Sequence, residues 1–459
     1  MAKKLITKPR DFPSVEELLQ HRTLKKFVSA LPRPVAVELI REVVAQNKVK
    51  LKKGLPSISE ASLLSEIKVA MTETKRDEIK PVINATGIVV HTNLGRAPLS
   101  AELFDAVKPT VTGYSNIELD LETGSRGKRG VACERYLAML AGSESATVVN
   151  NCAAAVFLIV NTLASRRQVL VSRGELVQIG GGFRIPDILK KSGAKLCEVG
   201  TTNITTRSDY ESNLNQQTAV ILKVHKSNFV QAGFTQEVPL KELVVLGRTH
   251  GIPVVNDLGS GVFVPIKELL GFSEPTAQQS IRDGADLVCF SGDKMLGGVQ
   301  AGLIVGRTDL IKKIKKNPLF RTMRVDKIVF SMLEKLFAIY LDGQFQTEIK
   351  LWTMLSVPEA ELYKRGKALL KELGNPPGLS VEATKSYVGG GALPEAGIPS
   401  VGIVFSSEFK ATFLMQKFRH MNPPVIGRIE DDHFILDLKA VSVEQLEILR
   451  QSIEKVIKH

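Results

Sequence analysis

A lysine at the end of a buried strand is the first residue of this sequence that could do chemistry. The segment ADLVCFSGDKMLGGVQAG predicts an apolar strand that runs into Ser291, Asp293 and Lys294 and then into paired glycines. Earlier in the chain, the apolar strand of GIPVVNDLGSG ends in Asp257. Pyridoxal phosphate requires an amine that forms a Schiff base and a carboxylate that keeps the pyridine nitrogen protonated. We therefore predict that Lys294 and Asp257 bind this cofactor.

A phosphate site is predicted where the strand of TVVNNCAAAVF ends and a helix rich in small residues begins. Free backbone N–H groups and the helix dipole favour an anion at such a terminus. Asn151, Cys152 and Ala153 lie at this junction, the last two offering mainly backbone groups, and Ser291 could add a hydroxyl. His225, in KVHKSNF after another strand, either contacts the cofactor ring or is a core histidine, and its spacing leaves both open.

The cysteines indicate neither a disulfide nor a metal site. They are scattered without CxxC spacing: Cys133, Cys152, Cys197 and Cys289. A free thiol in apolar surroundings behaves as a small hydrophobic side chain. We therefore expect no disulfide and no zinc.

The charge of the chain favours a polyanionic partner such as nucleic acid. Its 459 residues include 61 Lys or Arg and 48 Asp or Glu, a net charge of +13. Residues 1–80 hold 17 of these basic and 10 of these acidic residues, so about half of the excess lies there. A basic surface is also compatible with solubility alone. No stretch approaches the roughly 20 apolar residues of a membrane span, and the N-terminus lacks a secretory signal, so we expect a cytoplasmic protein.

Three regions must position these residues. Residues 1–80 have the apolar spacing of short amphipathic helices and predict a small basic domain. Residues 81–345 alternate short apolar strands with helices, which predicts an α/β domain with a mainly parallel sheet flanked by helices. Residues 346–459 predict a small α+β domain. The glycine runs at 180–182 and 389–391 lack a dinucleotide motif's context and predict tight loops.

Taken in order, several motifs resemble those of one known family. They are NATGIVVHTNLGRAPL, SRGELVQIGGGFRIPDI, EVGTTN, HKSNF, DLGSG, FSGDKMLGGVQAG and NPLFRTMRVDK. The chain resembles the fold type I pyridoxal phosphate enzymes and, within them, the bacterial selenocysteine synthases, or L-seryl-tRNA(Sec) selenium transferases. The resemblance spans nearly the whole chain and is weakest in residues 1–80. One departure is Cys152, where the family pattern implies a third asparagine.

The resemblance implies a reaction and its partners. L-seryl-tRNA(Sec) would become L-selenocysteinyl-tRNA(Sec), with selenophosphate as the selenium donor, for selenoprotein translation. The implied route is β-elimination to aminoacrylyl-tRNA followed by selenium addition, with Lys294 removing the α-proton. Residues 1–80 would then bind the tRNA. The family also implies a homo-oligomer, a ring of dimers (decamer), with active sites at subunit interfaces.

Such a reaction requires an anion pocket, and arginines supply the candidates. Arg96 lies at a turn after a strand, and Arg321 and Arg324 are spaced to share one helical face. Their planar forks of donors suit the oxygens of selenophosphate. Arg126 and Arg129 belong to a basic loop that either reaches tRNA or a neighbouring subunit or is merely solvated.

Two alternatives and two residues stay open. A relative with the same cofactor site could act on a small amino acid or amino sugar, but it would lack the basic N-terminal region. A tRNA-binding or scaffold protein would not need Lys294, Asp257 and Ser291 together. Arg173 and Glu175 also sit at a strand end, but their spacing gives them no role.

Overall fold

The computed structural model describes residues 5–389 and 392–458. The chain folds as two compact units, Met1–Pro81 and Val82–His459. The elements of the first unit are β1 Leu5–Ile6, α1 Val15–Gln20, α2 Lys25–Val28, α3 Arg33–Lys52, β2 Ile58–Ser59 and α4 Glu60–Arg76.

The first unit is held together by the apolar faces of its two long helices. α3 buries Ile40 and Val44, and α4 buries Leu63 and Ile67, at the three- and four-residue intervals of one helical face. The Ser59 hydroxyl accepts a hydrogen bond from Ser62 N and caps α4. The basic residues are therefore left on the outer faces of a small helical body.

The second unit contains the remaining elements. Its strands are β3 Ile83–Asn84, β4 Ile88–Val90, β5 Ser145–Val149, β6 Gln168–Ser172, β7 Gln178–Ile179, β8 Phe183–Arg184, β9 Lys195–Val199, β10 Thr218–Val224, β11 Val254–Gly259, β12 Leu287–Ser291, β13 Gly302–Gly306, β14 Leu379–Gly389, β15 Ala392–Phe405, β16 Val425–Ile426, β17 Arg428–Glu430 and β18 His433–Asp437.

Its helices are α5 Ala101–Thr112, α6 Val131–Ala141, α7 Cys152–Ala164, α8 Ile185–Lys191, α9 Arg207–Asn213, α10 Leu240–His250, α11 Lys267–Leu270, α12 Ala277–Arg282, α13 Thr308–Lys316, α14 Pro318–Met323, α15 Lys327–Leu341, α16 Phe345–Glu348, α17 Lys350–Leu355, α18 Glu359–Glu372, α19 Ala411–Arg419 and α20 Leu446–Ile457. Residues 180–182 form a single 3-10 turn. Of the loop predicted at 389–391, residues 390 and 391 lie outside the described residues.

A seven-stranded sheet forms the centre of the second unit. Its strand order is β5-β13-β12-β11-β10-β6-β9, and only β13 runs antiparallel to its neighbours. The inner strands β10, β12 and β13 are almost wholly buried and read as continuous apolar runs, because helices cover the sheet. The predicted mainly parallel sheet is confirmed. The carboxyl ends of its parallel strands meet at one edge.

A second sheet links the start of this unit to its C-terminal part. β4 pairs with β14 in the order β17-β18-β15-β14-β4, and β3 pairs with β16. The fully buried Asp437 accepts hydrogen bonds from Ser386, Ser400 and Arg428 in this sheet. Residues 83–90 thus pair with strands of residues 346–459, while the three-domain division stays a prediction. No helix in the described part of the chain is long and apolar enough to cross a membrane.

Candidate active site

A cavity of about 260 Å³ lies at the edge where the parallel strands end. It collects residues that follow or end β5, β11 and β12, since these strands run in the same direction and end at the same edge of the sheet, β11 beside β12 and β5 beyond β13. The sequence-predicted residues that line it are Arg96, Asn151, Cys152, Ala153, Asp257, Ser291 and Lys294. A cavity of this kind, in which several polar side chains converge, suits the binding of a small ligand.

Lys294 is buried in the turn that follows β12. The residue is only 7% exposed. Its Nζ forms no hydrogen bond or ion pair with any residue in the described ranges, and it lines the cavity. A Cβ built on Gly259 would lie 3.9 Å from Nζ, and Gly259 has a φ of +66°. Glycine here therefore satisfies a left-handed backbone and keeps the space beside the amine open. A buried amine without a protein partner at a cavity wall suits covalent attachment of a carbonyl group.

Asp257 lies in the buried part of β11, near the carboxyl end of the strand, beside two thiols. Its Oδ1 atom lies 3.5 Å from Cys152 Sγ and 3.8 Å from Cys289 Sγ, and both thiols donate to it. Burial raises the pKa of the Asp257 carboxyl, while the Cys152 hydrogen bond and the charge of Lys294 act in the opposite direction. An ionised carboxylate here requires a cationic partner. A protonated pyridine nitrogen would be one.

The N-terminus of α7 forms another wall. Asn151 caps the helix, its Oδ1 accepting a hydrogen bond from Ala154 N at 2.8 Å. The first backbone bond of the helix starts at Ala155 N, so the N–H groups of Cys152 and Ala153 have no intrahelical acceptor. Any side chain at Gly302 would collide with the Asn151 backbone. This wall offers free donors to a phosphate, while the Asn151 side chain is used for capping.

His225 lies behind Asp257 rather than on the cavity wall. Its backbone N donates to Asp257 O at 2.8 Å, and its Nε2 lies 3.0 Å from Oε1 of Glu274. The Glu274 side chain is almost fully buried. The sequence did not single out Glu274, because it lies in a loop with no strand or motif before it.

Arg96 is fixed beside Lys294. Its Nη1 atom donates to Asp293 Oδ2 at 2.6 Å, and its backbone is left-handed, with φ at +66°. A non-glycine residue in this region costs about 1–3 kcal/mol and persists only where its surroundings hold it there. The structure therefore holds a guanidinium group at the cavity wall. Sequence spacing does not predict this contact with Asp293, because the two residues lie 197 positions apart in the chain.

The other two arginines do not share a helical face, so that expectation was wrong. α14 ends at Met323, and Arg324 has extended backbone as the chain turns toward α15. Neither Arg321 nor Arg324 lines the cavity. The segment still touches the site's edge, because Asn150 N donates to Met323 O at 2.9 Å.

A single carboxylate gathers the nearby basic side chains. Glu118 accepts from Arg126 at 2.7 Å and from Arg129 at 2.6 Å, and Arg324 Nη1 lies 3.7 Å from it. These hydrogen bonds lower the pKa of Glu118. Arg129 also donates to Val325 O at 2.9 Å. The basic loop is thus tied by Glu118 to the segment that carries Arg324.

Glu175 anchors a further wall. It is 2% exposed, and its Oε1 accepts from Lys223 Nζ at 3.0 Å while its Oε2 accepts from Val224 N at 2.9 Å. The chain then continues to Ile179 and Gly180, which line the cavity. Arg173 by contrast forms an exposed pair with Glu198. Spacing alone could not separate the two, because each finds its partner on another strand, Glu175 on β10 and Arg173 on β9.

The family profile described as L-seryl-tRNA selenium transferase matches residues 82–442. The L-seryl-tRNA(Sec) selenium transferase of Aquifex aeolicus is 41% identical over 459 residues, covering 99% of this chain and 99% of the relative. This chain belongs to the L-seryl-tRNA selenium transferase family. The family member of Geotalea uraniireducens is 42% identical over 94% of this chain and 96% of its own.

Two further similarities are found for this L-seryl-tRNA selenium transferase family member. A profile described as selenocysteine synthase N terminal matches residues 10–46. The solved structure of a D-glucosaminate-6-phosphate ammonia-lyase aligns with a TM-score of 0.61 at 19% identity, covering 83% of this chain and 96% of the other. That likeness shows the fold alone and confirms the predicted fold class.

Proposed function

We propose that this protein converts L-seryl-tRNA(Sec) to L-selenocysteinyl-tRNA(Sec), with pyridoxal phosphate bound at Lys294. The observation that carries the proposal is a buried lysine whose amine forms no hydrogen bond or ion pair with any described residue, in one cavity with a buried carboxylate. It occurs in a chain that matches the transferase family over residues 82–442.

The residues of the cavity fit the chemistry of this cofactor. Lys294 Nζ would hold the aldehyde carbon, Asp257 the pyridine nitrogen, and the N–H groups of Cys152 and Ala153 the phosphate, with Ser291 as a further donor. The cofactor, when bound, supplies an electron sink for the α-carbon of an amino acid. The Oδ1 atom of Asp257 accepts hydrogen bonds from the two thiols, so its Oδ2 atom would face the pyridine nitrogen of the cofactor.

Lys294 also serves as the group that moves protons. With pyridoxal phosphate bound in the cavity, the Lys294 amine would be the base that removes the proton from the seryl α-carbon. Because the residue is buried, bulk water does not compete for this position. The net change replaces the β-hydroxyl of serine by selenium.

Arg96 orients the anionic donor, which we take to be selenophosphate. Its guanidinium is held by Asp293 and lines the same cavity as Lys294. Arg321 is exposed and forms no ion pair within the described part of the chain, so it is available to an anion that binds near α14. Arg324 is partly engaged by Glu118. His225 supports the ring position through Asp257 rather than by lining the cavity.

The N-terminal unit binds the tRNA, and the enzyme works as a homo-oligomer in the cytoplasm. The basic excess of residues 1–80 supports contacts with phosphates. Family membership supports a ring of dimers. Because the substrate is an aminoacyl-tRNA that is used in translation, it supports a cytoplasmic location.

Conversion of charged tRNA tests this function directly. The full chain, loaded with pyridoxal phosphate, is incubated with L-seryl-tRNA(Sec) and selenophosphate, and the esterified amino acid is identified by mass spectrometry. We expect selenocysteine from the wild type and none from Lys294→Ala. Lys313→Ala, at an exposed lysine on α13, is the matched control and should retain activity. If serine remains unchanged with the wild type, the proposed function is wrong.

A further inference from the structure

Three side chains at the cavity form a cluster that the proposed reaction uses only in part. Cys152 begins α7, Asp257 lies in β11 and Cys289 lies in β12. Their Sγ and carboxylate oxygen atoms all lie within 4.8 Å of one another. Within the described residues, this is the one group of three or more His, Cys, Asp or Glu side chains with ligand atoms so close.

The spacing of these atoms matches a metal coordination shell. Zinc binds sulfur at about 2.3 Å and carboxylate oxygen at about 2.0–2.2 Å, which at tetrahedral angles separates S and O ligands by about 3.6 Å. The Asp257 Oδ1 atom lies 3.5 Å from Cys152 Sγ and 3.8 Å from Cys289 Sγ. We propose that Cys152, Asp257 and Cys289 bind a thiophilic divalent cation such as Zn²⁺ in the cofactor-free protein.

Charge and access are compatible with such an ion. Two thiolates and a carboxylate carry three negative charges, which a divalent cation and the neighbouring Lys294 ammonium balance. Each thiol loses its proton to solvent as its sulfur–metal bond forms. Cys289 is fully buried, but Cys152 and Asp257 line the cavity, so the ion enters from there. A water molecule from the cavity supplies the fourth ligand.

The site would compete with the cofactor. This consequence rests on the proposed function, in which Asp257 binds the pyridine nitrogen. The same carboxylate cannot serve the metal and the ring together. A thiophilic cation should therefore slow cofactor loading, and bound pyridoxal phosphate should exclude the ion.

Metal binding is measured on the untagged full chain after removal of the cofactor. Equilibrium dialysis against Zn²⁺, and against Cd²⁺ with ultraviolet detection of thiolate–cadmium absorption, should give one equivalent per chain. Cys152→Ser and Cys289→Ser should each weaken metal binding by at least about 100-fold. Loss of a group that merely hydrogen-bonds to a metal ligand already weakens binding by up to about 100-fold, and here a ligand itself is lost. Cys197→Ser, at a half-buried thiol outside the cluster, is the control and should bind like wild type.

Each outcome decides the proposal. Absence of stoichiometric binding by the wild type, or full binding by both cluster variants, would overturn it. Cys289 lies within the sheet, so thermal unfolding must show that its variant is folded, and Cys152→Ser at the cavity wall provides a second test. An ion that stays bound under saturating pyridoxal phosphate would leave the metal site standing and place the cofactor elsewhere.

Discussion

Replacing Lys223 by methionine isolates the buried carboxylate of Glu175, which anchors a wall of the cavity. The Lys223 ammonium lies 3.0 Å from Glu175 Oε1 and also donates to Val238 O at 3.1 Å. Removing one partner of a buried ion pair typically costs about 3–5 kcal/mol, because the other charge is left without compensation. We expect a loss of this size in the free energy of unfolding at slightly alkaline pH.

The loss should depend on pH with a defined sign. Burial already raises the pKa of Glu175 above its usual 4.5, while Lys223 lowers it. The contribution of such a group to stability is fully present below the unfolded-state pKa and is lost as pH rises through the folded-state pKa. Without Lys223 the folded-state pKa of Glu175 rises further, and each pKa unit corresponds to about 1.4 kcal/mol in the free energy of unfolding. The gap between variant and wild type should therefore widen as pH rises from the acidic range.

Urea unfolding of the cofactor-loaded protein at several pH values measures this gap. Lys223→Met combined with Glu175→Gln should recover most of the lost free energy, because the amide oxygen still accepts from Val224 N. Lys226→Met is the matched control: Lys226 pairs with the 55% exposed Glu237, so about 0–1 kcal/mol is expected. A gap that is constant with pH, or a double variant no better than Lys223→Met, would refute the reasoning.

Three further outcomes are expected. Asp257→Asn should keep its cofactor on the lysine but slow α-proton exchange on seryl-tRNA by at least about 100-fold, and exchange at the wild-type rate would contradict this. Arg96→Ala, Arg321→Ala and Arg324→Ala should each raise the selenophosphate concentration needed for half-maximal turnover by about 10- to 100-fold, with cofactor binding unchanged; if none does, the anion binds elsewhere. Deleting residues 1–81 should weaken tRNA(Sec) binding and flatten its salt dependence by up to about 0.9 in slope per lost phosphate contact, and an unchanged slope would assign recognition to the second unit.

The sequence predicts site residues best where they directly follow or end an apolar strand. Lys294, Asp257 and Asn151 each follow or end an apolar run, and parallel strands bring their carboxyl ends to one edge. These three residues therefore line one cavity, whereas His225, which also follows a strand, does not. The helical face for Arg321 and Arg324 failed, because i and i+3 spacing says nothing about where α14 ends.

Contacts between distant segments could not be predicted from spacing. Arg96 meets Asp293, and His225 meets Glu274, across separations with no motif. The cysteines lacked any metal-ligand spacing in the chain, yet Cys152 and Cys289 converge on one carboxylate because a helix start and a strand are neighbours in the fold. Such groups become visible only when the register of the sheet is known.

Borohydride reduction of the cofactor-loaded protein, followed by peptide mapping, tests the central claim most directly. The reduction fixes pyridoxal phosphate to the amine that carries it. The structure predicts a single pyridoxyl group on Lys294, and Asp257→Asn should be labelled at the same position. A pyridoxyl group on any other lysine, with Lys294 unmodified, would contradict the assignment of this cavity as the active site.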